Sequence, residues 1–223
     1  LRDLKLLNFD EPIIKQFSQG MVHSEDGRKM SKSYGNVIDP LDIIKDYSAD
    51  ALRLFLVSVA NPDKDFNWDI RGLESNHKFI SRIYDKFDNL KIGKSSEKTE
   101  HKINNAIKKI TTYLENIKYN LAIIEIKKLF DSLEEEISKK DFEASLKLIS
   151  PFCPHIAEEL WEKLGNKKLI SLDKWPKYDE KKINLELDAI EEFVSNTVKD
   201  IHNISKFIKI KPTKVIISVS EQW

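Results

Sequence analysis

From Asp69 onward the apolar residues of this chain recur at helical spacing. Ile70, Leu73, His77, Ile80, Ile83, Tyr84, Phe87 and Leu90 fall near one stripe and predict an amphipathic helix. Gly93-Lys94-Ser95-Ser96 reads as a connection. A second helix is predicted from about Glu97 to Ile117, with Ile103, Ala106, Ile107, Ile110, Tyr113, Leu114 and Ile117 on one face. Tyr119-Asn120 marks a break or bend, and a third helix carries Leu121, Ile124, Ile126, Leu129, Phe130, Leu133 and Ile137. Asp141 to Ile149 makes a fourth, stopped by Pro151. Pro154 opens a fifth, which runs through Leu164 and ends at Gly165. Stripes of this kind cover one another, so the pattern predicts a helical bundle. Each large side chain moved out of water there contributes roughly 1.5–3 kcal/mol.

The flanks read differently. Phe17 to Val22 has the look of a short strand, and Ser24-Glu25-Asp26-Gly27 follows as a turn. Asn36-Val37-Ile38 is extended. Asp39 then stands at an N-cap position with Pro40 at the first helical position. Leu41, Ile43, Ile44 and Tyr47 continue that helix, and a second runs from Ser48 to Ala60, ended by Asn61-Pro62. Beyond the bundle, Leu169 to Tyr178 is short and extended. Asn184 or Leu185 to about Ile208 is amphipathic, and Thr213 to Ser220 alternates enough to predict a strand. The expected domains are residues 1–68, 69–180 and 181–223.

Composition narrows the class. The 37 basic and 37 acidic residues balance, which excludes a strongly basic protein while leaving room for a local RNA-binding face. The single cysteine, Cys153, cannot form an internal disulfide and has no metal partner at ligand spacing, so a small core residue is the reading. With no signal-peptide pattern and no apolar run of membrane-spanning length, the expected location is cytoplasmic.

The chemistry is concentrated at Lys29-Met30-Ser31-Lys32-Ser33. Two lysines three residues apart, separated by small residues on a glycine-flanked loop, can place two ammonium groups on one polyphosphate. Lysine suits this as a compact point charge on a flexible stem, and hydroxyls and loop amides add hydrogen bonds to phosphate oxygens. If a carboxylate attacks the α-phosphate of ATP, negative charge builds on the departing pyrophosphate. Cations that meet it better in the transition state raise the rate. A solvated Lys/Ser surface loop is the competing reading of those five residues alone.

The run Gly27-Arg28-Lys29-Met30-Ser31-Lys32-Ser33-Tyr34-Gly35-Asn36-Val37-Ile38-Asp39-Pro40, with Ala49-Asp50-Ala51-Leu52-Arg53 after it, resembles the signature loop and following segment of class I aminoacyl-tRNA synthetases. Within the class, Ser150-Pro151-Phe152-Cys153-Pro154-His155 through Trp161, and on to Trp175-Pro176, is similar to the leucyl, isoleucyl and valyl enzymes. Gln19-Gly20-Met21-Val22 and Asp65-Phe66-Asn67-Trp68-Asp69 look leucyl-like. Lys209 to Ile217 resembles the C-terminal region of archaeal and eukaryotic leucyl enzymes.

This resemblance implies a mainly α chain: the end of a Rossmann-type catalytic domain with its signature loop, then an anticodon-stem-binding bundle, then the start of a small α/β domain. It implies activation of leucine by ATP, with Mg²⁺ accompanying the nucleotide, and transfer to a leucine tRNA. Lys29, Met30, Ser31, Lys32 and Ser33 would bind ATP, with Lys29 and Lys32 catalytic. Asp50 and Arg53 would have structural roles, as a helix-start residue and a stem packed on the loop. An isoleucyl or valyl enzyme, or a tRNA-binding module without catalysis, are the alternatives. The family's His-x-Gly-His motif does not occur in the sequence. The rest of a synthetase is therefore an expected partner, in cis or in trans, and the chain alone is expected not to activate an amino acid.

For RNA contact the candidates are Arg71, Lys78 and Arg82 on the helix nearest the loop, and Lys206, Lys209 and Lys211 in the most basic local segment. Ion pairing within the bundle explains the first three as well, and a basic surface without a partner the others. Lys108-Lys109, Lys127-Lys128 and Lys139-Lys140 read first as solvated helix faces. His155 is expected to be a partly buried packing residue. Trp161, Trp175 and Tyr178 are expected to close the bundle end rather than to stack on a base.

Overall fold

The computed structural model describes residues 2–10, 13, 15–208 and 212–218. Helix starts follow local capping. The Asp39 side chain accepts from the Leu41 amide at 2.8 Å, and α1 runs Pro40–Tyr47. Ser48 caps α2 (Ala49–Ser58), Asp69 caps α3 (Ile70–Asp88) and Ser96 caps α4 (Glu97–Glu115). The break after α4 comes earlier than the sequence suggests. Ile117 takes φ 57° and the Lys118 amide reaches back to the Tyr113 carbonyl, so that α5 (Tyr119–Ser132) starts at Tyr119 itself.

Lys86 on α3 helps to end α5. Its ammonium donates to the carbonyls of Phe130 (2.7 Å) and Leu133 (2.6 Å), a cation placed on a helix C-terminus. Ile137, expected on that helix, instead belongs to a short strand. Lys91–Ile92 (β3) and Glu136–Ile137 (β4) pair in parallel, which buries the Ile137 side chain completely. Ser138 then caps α6 (Lys139–Ile149), and Pro154 opens α7 (Pro154–Lys163).

One continuous core runs through these helices. Phe55, Phe79, Phe142, Ile103, Ile110, Ile126 and Leu146 are almost wholly removed from water. Helix α2 packs against α1, α3, α5 and α7, so the segment carrying the lysine loop and the bundle share that core. Residues 1–178 make one compact unit and 179–223 a second. Within the second, α8 spans Leu185–Ile208. The strand expected over Thr213–Ser220 is not formed at residues 212–218. A lone alternating segment becomes a strand only beside another strand, and none pairs with it among the described residues. No helix among the described residues is long and apolar enough to cross a membrane.

Candidate functional site

The lysine loop hangs from a short parallel ladder. Val22–His23 (β1) pairs with Phe66–Asn67 (β2). Extra bonds join the two segments at Gly20 to Pro62 (2.8 Å) and at the Met21 amide to the Asp65 carboxylate (2.8 Å). Gly20 is needed there. A Cβ on it would sit 2.2 Å from the carbonyl carbon and oxygen of Lys64. The chain then turns through Ser24-Glu25-Asp26-Gly27, with Gly27 at φ 81°, and returns to form a single antiparallel bridge between His23 and Lys29. The strand expected over Phe17 to Val22 is thus confined to Val22–His23, and the turn expected after it forms, closed by that one bridge.

A polar knot inside the turn sets the loop's shape. Ser24 is buried and donates between the Asp26 carboxylate (2.6 Å) and the Arg28 carbonyl (2.9 Å). Arg28 closes back on Asp26 through its guanidinium. That contact, with the Ser24 hydroxyl and the Arg28 amide, holds the Asp26 carboxyl well below the usual carboxylate range. Asn36 ties both ends of the loop together. Its oxygen accepts from the Ser31 amide (2.8 Å), and its amide donates to Ser24 Oγ (3.0 Å) and the Lys29 carbonyl (3.2 Å).

Between these anchors Lys32–Tyr34 forms a single 3₁₀ turn, closed by Gly35 at φ 64°. Ser31 Oγ and Ser33 Oγ lie 2.8 Å apart. Lys29 and Lys32 are exposed, Met30 is half-buried against the core, and neither lysine has an ion pair among the described residues. The structure therefore places two exposed lysines and a pair of contacting hydroxyls on one short loop with fixed anchors. Sequence reasoning missed Asn36 and Ser24 as the organisers. The signal was available in part: Ser-x-Asp-Gly is a side-chain-capped turn, and an Asn beside a glycine favours backbone hydrogen bonding.

Asp50 is a correction. It was expected to serve its own helix start, but Ser48 does that. The Asp50 carboxylate, only 4% exposed, instead accepts from the Ile156 amide (2.8 Å), the His155 amide (3.3 Å) and His155 Nδ1 (2.8 Å). It thereby caps α7, whose own N-cap residue Cys153 supplies no side-chain bond. Arg53 donates to the carbonyls of Pro151 (3.0 Å) and Phe152 (3.2 Å), not to the loop. His155 is a second correction. Its side chain is 72% exposed, because it sits at the helix mouth beside Asp50 rather than in the core. Cys153 is buried, and burial pushes its thiol pKa up.

The candidate RNA contacts separate. Arg71, Lys78 and Arg82 lie on one stripe of α3, seven and then four residues apart. Arg71 is drawn to Asp69 (3.2 Å), while Arg82 bonds Asp131 on α5 (3.1 Å) and lies over the Phe79 ring. Lys78 is exposed and has no ion pair among the described residues. Lys206 is exposed on α8 in the second unit; Lys209 and Lys211 lie outside the described residues. Trp161 and Trp175 spend their indole N–H groups on the Lys168 carbonyl and Thr111 Oγ1, and close the bundle end.

Comparison with known proteins decides the family. Residues 5–69 match the family described as tRNA synthetases class I (I, L, M and V), and residues 96–220 match the anticodon-binding domain of tRNA ligase. The chain belongs to the class I tRNA ligases. The leucine–tRNA ligase of Mycoplasma mycoides is 38% identical over 188 residues, covering 82% of this chain and 23% of that protein. That of Thermotoga maritima is 38% identical over 226 residues, covering 90% and 27%. A crystal structure of the Agrobacterium radiobacter K84 agnB2 LeuRS–tRNA–LeuAMS ternary complex superposes with a TM-score of 0.71 at 28% identity, over 82% of this chain and 27% of that one. The chain thus spans about a quarter of the length of the tRNA ligases it matches.

Proposed function

We propose that this chain is the loop-and-bundle portion of a leucine–tRNA ligase. In this reading Lys29 and Lys32 hold the β- and γ-phosphates of ATP while the leucine carboxylate attacks the α-phosphate. Ser31, Ser33 and the amides of the 3₁₀ turn add hydrogen bonds. As the α–β bridge breaks, charge moves onto pyrophosphate, and the two ammonium groups meet it there. Met30 seats the loop on the core. Mg²⁺ enters with the phosphates of ATP; among the described residues no cluster of His, Cys, Asp or Glu gathers to hold a metal.

The observation that carries this reading is the pair of unpaired lysines on a turn fixed by Asn36 and Gly35. Both are hydrated and free to take phosphate oxygens, whereas most other polar side chains of the loop are held by internal hydrogen bonds. The tRNA would lie along the bundle, with Lys78 the best-placed phosphate contact of α3 because Arg71 and Arg82 already have carboxylate partners. Similarity to leucine–tRNA ligases and to a ligase–tRNA complex supports both the amino acid and the nucleic acid.

The test is amino-acid-dependent exchange of pyrophosphate into ATP by the full-length protein. Leucine should support exchange far better than isoleucine or valine. Exchange driven by isoleucine or valine instead would reassign the member of the subgroup. No exchange with any of the three, with tRNA still bound, would favour a binding module without catalysis.

A further inference from the structure

Downstream of the loop the chain enters the bundle through one corner. From Asn36 the chain reaches α1 at Asp39, and α1 ends at Tyr47, whose carbonyl lies 2.6 Å from His77 Nδ1 on α3. Ser48 follows at φ 91° and ψ 155°, a region that residues with a Cβ rarely occupy. Such a conformation costs about 1–3 kcal/mol and persists only where its surroundings enforce it. Here Ser48 both receives the end of α1, through its amide to the Ile44 carbonyl, and caps α2. Two residues later Asp50 caps α7, and one turn on Arg53 holds the Pro151 and Phe152 carbonyls. The N-terminal half of α2, through Asp50 and Arg53, therefore grips residues about a hundred positions away in sequence.

We propose that Asp50 and Arg53 are positioning residues that tie the placement of the lysine loop to the Pro151–Ile156 corner of the bundle. The buried carboxylate fixes α2 against α7. Fixing α2 fixes the strained Ser48 corner, and that corner sets the direction in which α1 and the loop leave. Neither residue touches ATP in this scheme. Arg53 makes its two bonds from an exposed position. This inference rests on the proposed role of the lysine loop.

The experiment is a double-mutant cycle in the full-length protein, read as leucine-dependent pyrophosphate exchange, with Asp50→Asn, Lys32→Ala and both together. Misplacing a catalytic group by about an ångström costs up to roughly a hundredfold. Asp50→Asn should lower kcat about ten- to a hundredfold, with KM for ATP within about twofold. In the Lys32→Ala background the same substitution should change the rate much less, because the group being positioned is already gone. Arg53→Gln, on the exposed side of the latch, should repeat the pattern more weakly and guards against a misfolded Asp50 variant. An equal loss in both backgrounds would mean a general structural defect and overturn the proposal. Unchanged Asp50→Asn activity beside a crippled Lys32→Ala protein would overturn it alone. A fully active Lys32→Ala protein would overturn the loop's role and this inference together.

Discussion

Gly20→Ala probes the base of the loop. The added methyl would sit 2.2 Å from the Lys64 carbonyl carbon and oxygen and 2.7 Å from the Asp65 nitrogen. These are backbone atoms, so no side chain can swing aside and the two segments must part. Parting them breaks the Gly20–Pro62, Met21–Asp65, Phe66–Met21 and Trp68–His23 hydrogen bonds. At about 0.5–1.5 kcal/mol for each bond the ceiling is roughly 6 kcal/mol, with about 2–3 kcal/mol expected after partial relaxation. Since about 1.4 kcal/mol is a factor of ten, that opens the ladder roughly 30- to 150-fold more often. Amide hydrogen exchange at Phe66 and Trp68 reads this directly, with amides in α4 as an internal control. Protection at both residues within about threefold of wild type would refute the argument that close backbone approach, rather than local turn chemistry, requires this glycine.

Asn36→Ala removes three hydrogen bonds that close the loop, and should speed exchange at the Ser31 amide by a factor corresponding to about 1.5–3 kcal/mol, with the bundle's melting unchanged. Equal protection at Ser31 would argue against Asn36 as the organiser. The Ser96 hydroxyl, and after it Thr99, holds the Glu134 carboxyl below its ordinary value against the opposing effect of burial, with Lys98 and Lys102 nearby. A depressed folded-state value contributes stability above the unfolded value of 4.5, lost as pH falls through the folded one. Glu134→Gln should therefore flatten the stability–pH curve on the acid side, and chemical denaturation at pH 6 and pH 3 would expose an unchanged slope.

The helices were legible because their apolar period and their caps agree: Asp39-Pro40, Ser96 and Pro154 each start a helix where the sequence places one. Phe79 escaped the stripe drawn through Ile80 and Ile83, yet it is among the most buried residues and lies under Arg82 and Lys127. Ile137 escaped because an isolated apolar residue does not reveal that a strand of two residues will pair forty-odd positions away. The lysines of the candidate site are picked out by type and spacing. Asn36 and Ser24 do not, since their role depends on the loop closing on itself. The Asp50–α7 contact is a bond across more than a hundred residues, and no local pattern carries such information.

In the proposed function Lys32 acts on the transition state of ATP cleavage. The most direct measurement is single-turnover leucine activation by the full-length Lys32→Ala protein, with ATP affinity measured separately. A transition-state role for Lys32 predicts a rate loss on the order of a hundred- to a thousandfold with ATP affinity nearly unchanged. A preserved rate with weakened ATP binding would contradict it, and would leave the loop as a ground-state grip on the nucleotide.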